Sequence, residues 1–354
     1  MNIKLLKSEL NPGEAFITDD SSTRFYLTGF SSSAGFIIVT NKTAYFLIDF
    51  RYFEIAQKSI KDFNVILCEN FSVQAAQIFK NEGVNKLYVE PSKLPVSDFE
   101  KYKKTFSNIT VSNSSVIEEK ILEMRSVKND SEIENIKSAQ ELTDKTFSYI
   151  LDKIKVGKTE REIMLDMEFY MRSLGSEGVS FDFIVVSGKN SSLPHGVPSN
   201  KKIEEGDFVT MDFGAVVNGY HADMTRTVAI SFATDEMKSV YNTVLTAQTA
   251  AIESIAPGKT CSEIDGIARN IIYRAGYKGC FGHALGHSVG VDIHERPNFA
   301  PKCNSILMPN NVITVEPGVY LPNKFGVRIE DIIVVNEKGC TNITESPKHL
   351  IIIK

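Results

Sequence analysis

Long hydrophobic runs are missing from this chain. A membrane-spanning helix needs roughly 18 consecutive apolar residues, whereas the longest runs, such as Phe36–Val39 and Leu350–Ile353, have the length of strands. Cysteine is scarce and unpatterned: Cys68, Cys261, Cys280, Cys303 and Cys340 are odd in number and show no CxxC spacing. That excludes a disulfide scaffold and predicts reduced thiols. No basic excess exists either, with 39 Lys and Arg against 44 Asp and Glu and a formal charge of −5, which argues against a dedicated nucleic-acid binder. Met1–Phe16 carries scattered charges (Lys4, Lys7, Glu9, Glu14) and lacks the apolar core of a secretory signal. The expectation is a soluble, cytoplasmic protein with no nucleic-acid or membrane partner.

What is present describes a globular chain with ample core material: 354 residues, 42% hydrophobic and 23% charged. At about 150 residues per domain, two domains are expected. The first reads as a small α/β unit. Gly35–Thr40 and Thr43–Ile48 flank Asn41-Lys42, which predicts two strands joined by a tight turn. Short helices are expected over Val73–Asn81 and Val96–Lys104, around a strand at Lys86–Val89. The polar cluster Ser112-Asn113-Ser114-Ser115 marks a boundary region, and Asp130-Ser131-Glu132 opens a long helical pattern. The expected division is 1–120 and 121–354.

The second part contains an internal repeat. Ile154, Gly157, Lys158, Thr159, Glu162, Ile163, Gly175 and Gly178 recur as Ile255, Gly258, Lys259, Thr260, Glu263, Ile264, Gly276 and Gly279. With a slipping offset the match continues from Val209–Gly214 to Ile313–Gly318. Two copies of about 100 residues do not make a solenoid. They suggest two related halves with a site at their junction. The Gly-Lys-Thr turns are not phosphate loops, because Asp152 and Glu253 stand where GxxxxGK[ST] requires glycine. Thr159 and Thr260 instead cap helices, each with a glutamate three residues on.

Chemistry concentrates in four segments of this part: Leu193–Gly196, Thr210–Thr227, Gly282–Glu295, and Val315–Gly318 with Gly326–Asp331. Asn218-Gly219 is a two-residue hairpin signal. If those residues form the turn, Val217 faces Tyr220 and Asp212 faces Thr225. Asp223 then lies on the Asp212 face, at ~7–8 Å between backbones. Two carboxylates held that close on an apolar sheet call for a cation. The other half supplies Glu316, before a Pro-Gly break, and Arg328 and Glu330 at i and i+2 on a second predicted strand. Each acid alone is as readily a solvated face residue, and His283 and His287 straddle Gly286, which disfavours a helical pair. Together the four acids and His287 form an oxygen-rich donor set. Such a set suits Mn²⁺, Co²⁺ or another divalent ion, and its charge fits two ions at ~3.5–4 Å. His221 and His349 carry no assigned role.

These segments, in this order, resemble the pita-bread metallopeptidases, and within them the Xaa-Pro branch of aminopeptidase P and prolidase. Arg24–Phe30, Ser33–Gly35 and Asp49–Tyr52 resemble the creatinase-type N-terminal domain of that branch. The resemblance implies an α/β (α+β) architecture: a creatinase-like domain followed by a pseudo-twofold catalytic domain with an antiparallel sheet and flanking helices. It implies two divalent metal ions, manganese first, with cobalt or zinc as alternatives. Asp212 would bind one ion, Asp223 and Glu330 would bridge both, and His287 and Glu316 would complete the other shell. His195 and His294 match two non-ligand histidines that contact substrate and assist proton transfer, with Glu316 as proton acceptor. Arg328 matches an arginine near the site, while His283 and Tyr320 would line the pocket. Ser288 stands where relatives usually have glycine.

The activity implied is release of the residue before a proline in second position, by a homodimeric Xaa-Pro aminopeptidase acting on peptides. Xaa-Pro dipeptidase is the alternative. Methionine aminopeptidase, or a non-catalytic peptide-binding member of the fold, comes behind both.

Overall fold

The computed structural model describes residues 2–354 and divides into two compact units, Met1–Met124 and Arg125–Lys354. The expected division after residue 120 falls inside the helix Val116–Ser126. Among the described residues, no helix is long and apolar enough to cross a membrane.

The first unit is built on a six-stranded mixed sheet with Glu14–Thr18 near its middle. Phe36–Thr40 and Ala44–Ile48 pair antiparallel, Val39 opposite Ala44, as the turn at Asn41-Lys42 predicts. Glu14–Thr18 then pairs antiparallel with Phe36–Thr40 and parallel with Lys86–Tyr88. The expected helices run over Phe71–Glu82 and Val96–Thr105. They cover a face that buries Ile17, Ile38, Leu47, Ile78, Phe79 and Leu87. Arg24 is buried and holds the loop after its helix, donating to Ser32 Oγ (2.6 Å), Ser32 O (3.0 Å) and Ala34 O (2.5 Å).

The second unit realises the repeat as two halves. In one, helices Asp130–Leu151 and Glu160–Ser173 accompany strands Ile184–Ser187, Phe208–Phe213 and Met224–Ile230. In the other, helices Asp235–Glu253 and Cys261–Arg274 accompany strands Gly286–Ser288, Val312–Val315 and Asp331–Val335. Both Gly-Lys-Thr turns end in a full capping box, Thr159 with Glu162 and Thr260 with Glu263. Gly157 and Gly258 take φ of +91° and +86°, which only glycine adopts cheaply. Their N–H groups donate at 2.9 Å to Ile203 O and Leu307 O, one turn doing the same work twice.

Two buried charge networks tie this unit together. Arg226, 1% exposed, donates to Glu330 O at 2.5 Å, Asp331 Oδ1 at 2.7 Å and Ser346 O at 2.8 Å, joining the halves. Arg125 and Lys128 meet Glu295, at 2.5 and 3.2 Å, and Lys128 also donates to Ser288 Oγ at 2.8 Å. The hydroxyl at position 288 is therefore a buried partner, one that a glycine could not provide. Burial pushes the Glu295 carboxyl up, but Lys128 and Arg125 outweigh it and hold it below its ordinary value. Ionised Glu295 thus stabilises the fold above the ordinary carboxylate range, and that contribution is lost as pH falls through its depressed pKa. Glu295→Gln should cost about 3–5 kcal/mol at pH 7 by removing the carboxylate that buried Lys128 pairs with and leaving Arg125 to Asp292. In urea melts at pH 7 and pH 3, the variant should lose less stability on acidification than the unsubstituted protein.

Candidate metal centre

The hairpin arithmetic holds in the structure: Tyr220 pairs with Val217 and Thr225 with Asp212. Gly214 allows the crossing, since a Cβ there would lie 1.8 Å from Ala222 O. Asp212 thus sits near the end of one strand and Asp223 immediately before its partner. The other half repeats the arrangement, with Glu316 immediately after Val312–Val315 and Glu330 immediately before Asp331–Val335. One expectation changes. Arg328 and Glu330 do not share a strand, because Phe325–Arg328 ends at Arg328 and the next strand begins at Asp331. The Glu330 N–H leaves its own sheet and donates to Thr225 O at 3.1 Å, across the junction of the halves. His283 and His287 do not form a helical pair either; His287 lies in the strand Gly286–Ser288, its N–H donating to Thr314 Oγ1 at 3.1 Å.

These elements bring Asp223, His287 and Glu330 together, with one ligand atom of each within 4.8 Å of the others. His287 Nε2 lies 3.5 Å from Asp223 Oδ2 and 3.5 Å from Glu316 Oε1. Its Nδ1 faces Ser288 O at 3.2 Å, which places the ring proton on Nδ1 and leaves Nε2 a bare acceptor. Burial and neighbouring His294 push its pKa down to about 4, so the ring is neutral. Burial, reinforced by the other acids, pushes Asp223 and Glu330 well up. Burial likewise lifts Glu316 to about 8, against the pull of Arg328. Asp212 Oδ1, Asp223 Oδ1 and Glu330 Oε1 are buried without a hydrogen-bond partner. Carboxylate and imidazole acceptors converging on one another, beside orphaned carboxylate oxygens, fit hard divalent cations.

Arg328 is the fixed positive charge. It donates to Asp212 Oδ2 at 2.6 Å, Thr225 Oγ1 at 2.9 Å, Tyr320 OH at 2.8 Å and Pro194 O at 3.2 Å. The Thr225 hydroxyl passes its own proton to Glu330 Oε2 at 2.7 Å. Tyr320 OH lies 2.9 Å from His283 Nε2, and His283 Nδ1 lies 2.7 Å from Ala284 O. Together these make a chain of donors from Arg328 through Tyr320 to His283. Burial and the Arg328 charge push His283 down to about 4, so it too is neutral. The His294 ring packs edge-on to His287 at 4.4 Å between centroids, and His195 is among the neighbours that help hold the His283 pKa down. His221 serves the backbone, its Nδ1 lying 3.0 Å from Gly290 O.

The hydrogen-bonding role of Thr225, placed from the sequence only as the partner of Asp212, and the loop contacts of the Asp265–Arg269 pair are not legible in the sequence. Asp265 holds Arg269, which donates to Phe281 O at 3.0 Å and His283 O at 2.8 Å. An Asp–Arg pair at i, i+4 in a helix is a legible signal, but its loop targets are not.

Residues 134–337 match the model of metallopeptidase family M24, and residues 12–127 match the creatinase/prolidase N-terminal domain. The Xaa-Pro dipeptidase of Pyrococcus horikoshii is 36% identical over 356 residues, 99% of each chain. Among solved structures, the Xaa-Pro dipeptidase from Bacillus anthracis superposes with a TM-score of 0.94 at 38% identity, covering 99% of this chain and 98% of that one. The X-Pro aminopeptidase from Thermotoga maritima does so with a TM-score of 0.92 at 35% identity, covering 98% and 99%.

Thr225→Val removes the hydroxyl shared by Arg328 and Glu330 without changing the shape of the side chain. Calorimetric titration with Mn²⁺ should show affinity weakened by about 10–100-fold. Unchanged affinity would mean that Thr225 does not orient the acids.

Proposed function

The chain belongs to metallopeptidase family M24, with a creatinase/prolidase N-terminal domain, and on that premise we propose that it cleaves the bond between the first residue of a peptide and a proline in second position. The observation that carries this reading is the convergence of Asp223, His287 and Glu330, with orphaned carboxylate oxygens beside them. The names of relatives matching nearly end to end supply the substrate class: Xaa-Pro dipeptidases from Pyrococcus horikoshii and Bacillus anthracis, and an X-Pro aminopeptidase from Thermotoga maritima. Two of these three are dipeptidases, so Xaa-Pro dipeptides are the first substrates to test.

Asp212, Asp223, His287, Glu316 and Glu330 are the proposed ligands of two divalent ions. Manganese suits the four-carboxylate, one-imidazole donor set, with cobalt or zinc as alternatives. When bound, such ions would supply a Lewis acid for the scissile carbonyl and would lower the pKa of a bound water towards ~7. Glu316 takes a proton from attacking water and delivers it to the leaving nitrogen, which in an Xaa-Pro bond carries no hydrogen of its own. His294, beside His287, and His195, near His283, donate to the developing oxyanion and the leaving group. Tyr320 and His283 line the pocket and are held in one tautomeric chain by Arg328. His283 is therefore neutral with its Nε2 accepting from Tyr320 OH, and it sets no positive charge against a substrate amine.

Purified protein supplied with Mn²⁺ or Co²⁺ should hydrolyse Xaa-Pro dipeptides faster than Xaa-Pro-Xaa tripeptides, and EDTA should abolish both activities. Faster tripeptide cleavage would move the assignment to an aminopeptidase. Chelator-resistant hydrolysis would refute the metal mechanism. Asp223→Asn, which removes a carboxylate charge from the centre of the cluster, should lower kcat by at least about 10³-fold while the protein stays folded.

A further inference from the structure

Glu160 is fully buried, at 0% exposure, and among the described residues its carboxylate is held by hydroxyl, amide and backbone donors with no ion pair. Its partners are all neutral donors from one stretch of chain. Oε1 accepts from Ser187 N at 2.6 Å, Ser187 Oγ at 3.0 Å and Asn190 Nδ2 at 3.1 Å. Oε2 accepts from Asn190 Nδ2 at 3.3 Å, Ser199 N at 3.0 Å and Ser199 Oγ at 2.6 Å. One carboxylate therefore grips both ends and an inner point of the segment 187–199, which carries His195 at its exposed bend.

Burying a charge without a counter-ion is costly unless its hydrogen bonds are fully supplied. Here the position in the helix helps. Glu160 is the first residue of Glu160–Ser173, where the helix dipole favours negative charge. A glutamine would not serve, because its amide would turn a donor towards donors on one side. The backbone reinforces the clamp: Glu160 N donates to Lys201 O and Arg161 N to Ser199 O, both at 3.1 Å. On the far side of the loop, Arg328 donates to Pro194 O at 3.2 Å, and Gly326 N to Ser191 Oγ at 2.9 Å. The loop bearing His195 is thus fixed between the first helix turn of one half and the strand Phe325–Arg328 of the other.

We infer that Glu160 is a positioning residue for His195, acting through the loop it clamps and not on the metal centre. The inference rests on the proposed role of His195 in handling substrate. A double-mutant cycle tests it, using Xaa-Pro dipeptide turnover at saturating Mn²⁺ with Mn²⁺ affinity measured separately by calorimetry. Glu160→Gln should lower kcat/KM by about 10–100-fold in the unsubstituted protein. In a His195→Ala background it should change kcat/KM by less than about twofold, and Mn²⁺ affinity should be unchanged. An equal loss in both backgrounds, normal turnover of Glu160→Gln, or weakened Mn²⁺ binding would overturn the inference. Normal turnover of His195→Ala alone would instead remove the role of His195, and this inference with it. Should Glu160→Gln fail to fold, Asn190→Ala in the same cycle removes the inner donor and must show the same coupling to His195.

Discussion

Four carboxylates and one neutral imidazole share a buried space with a single guanidinium, and the second unit is organised around that imbalance. Arg328 pairs with Asp212 and reaches Thr225 and Tyr320, but it cannot balance Asp223, Glu316 and Glu330 as well if all are ionised. In water such acids would be solvated; here they are buried, so their charged forms are disfavoured until cations arrive. Metal binding is then coupled to loss of protons, and the rigidity of the surrounding sheets keeps the acids from swinging apart to relieve their repulsion.

The repeat explains how a chain can hold such a cluster. Each half presents one acid at the end of an outgoing strand and one immediately before the return strand, so two copies facing each other deliver four acids from four strand ends. Each half also braces a histidine-bearing loop from the helix that follows its Gly-Lys-Thr turn. Glu160 holds the loop of His195, and Asp265 with Arg269 holds the loop of His283. The halves have diverged in the chemistry of the brace, a lone carboxylate in one and an ion pair in the other. Its place in the architecture is the same.

Much of this was legible beforehand because it obeys local rules. Asn218-Gly219 sets the hairpin register, and period-two geometry then places Asp212 opposite Thr225. Thr159 and Thr260, each three residues before a glutamate, mark helix starts. Glu330 was misread as a strand residue because Gly326–Asp331 alternates like one. The break appears only where its N–H finds Thr225 O in the other half. Thr225, Glu160 and Lys128 were silent for a similar reason: a threonine in a strand, a glutamate opening a helix and a lysine between helices are ordinary locally, and only their distant partners make them special.

The sequence by itself determined the donor types, the hairpin register, the helix caps and the existence of two halves, since each depends on residues a few positions apart. The tertiary structure alone decided that Asp223, His287 and Glu330 meet, that His287 offers Nε2, and that Arg328 links Asp212 to Tyr320. Those contacts join residues far apart in the chain. They are set by how two apolar sheet faces pack and which polar groups must be satisfied at their junction, which no local periodicity encodes.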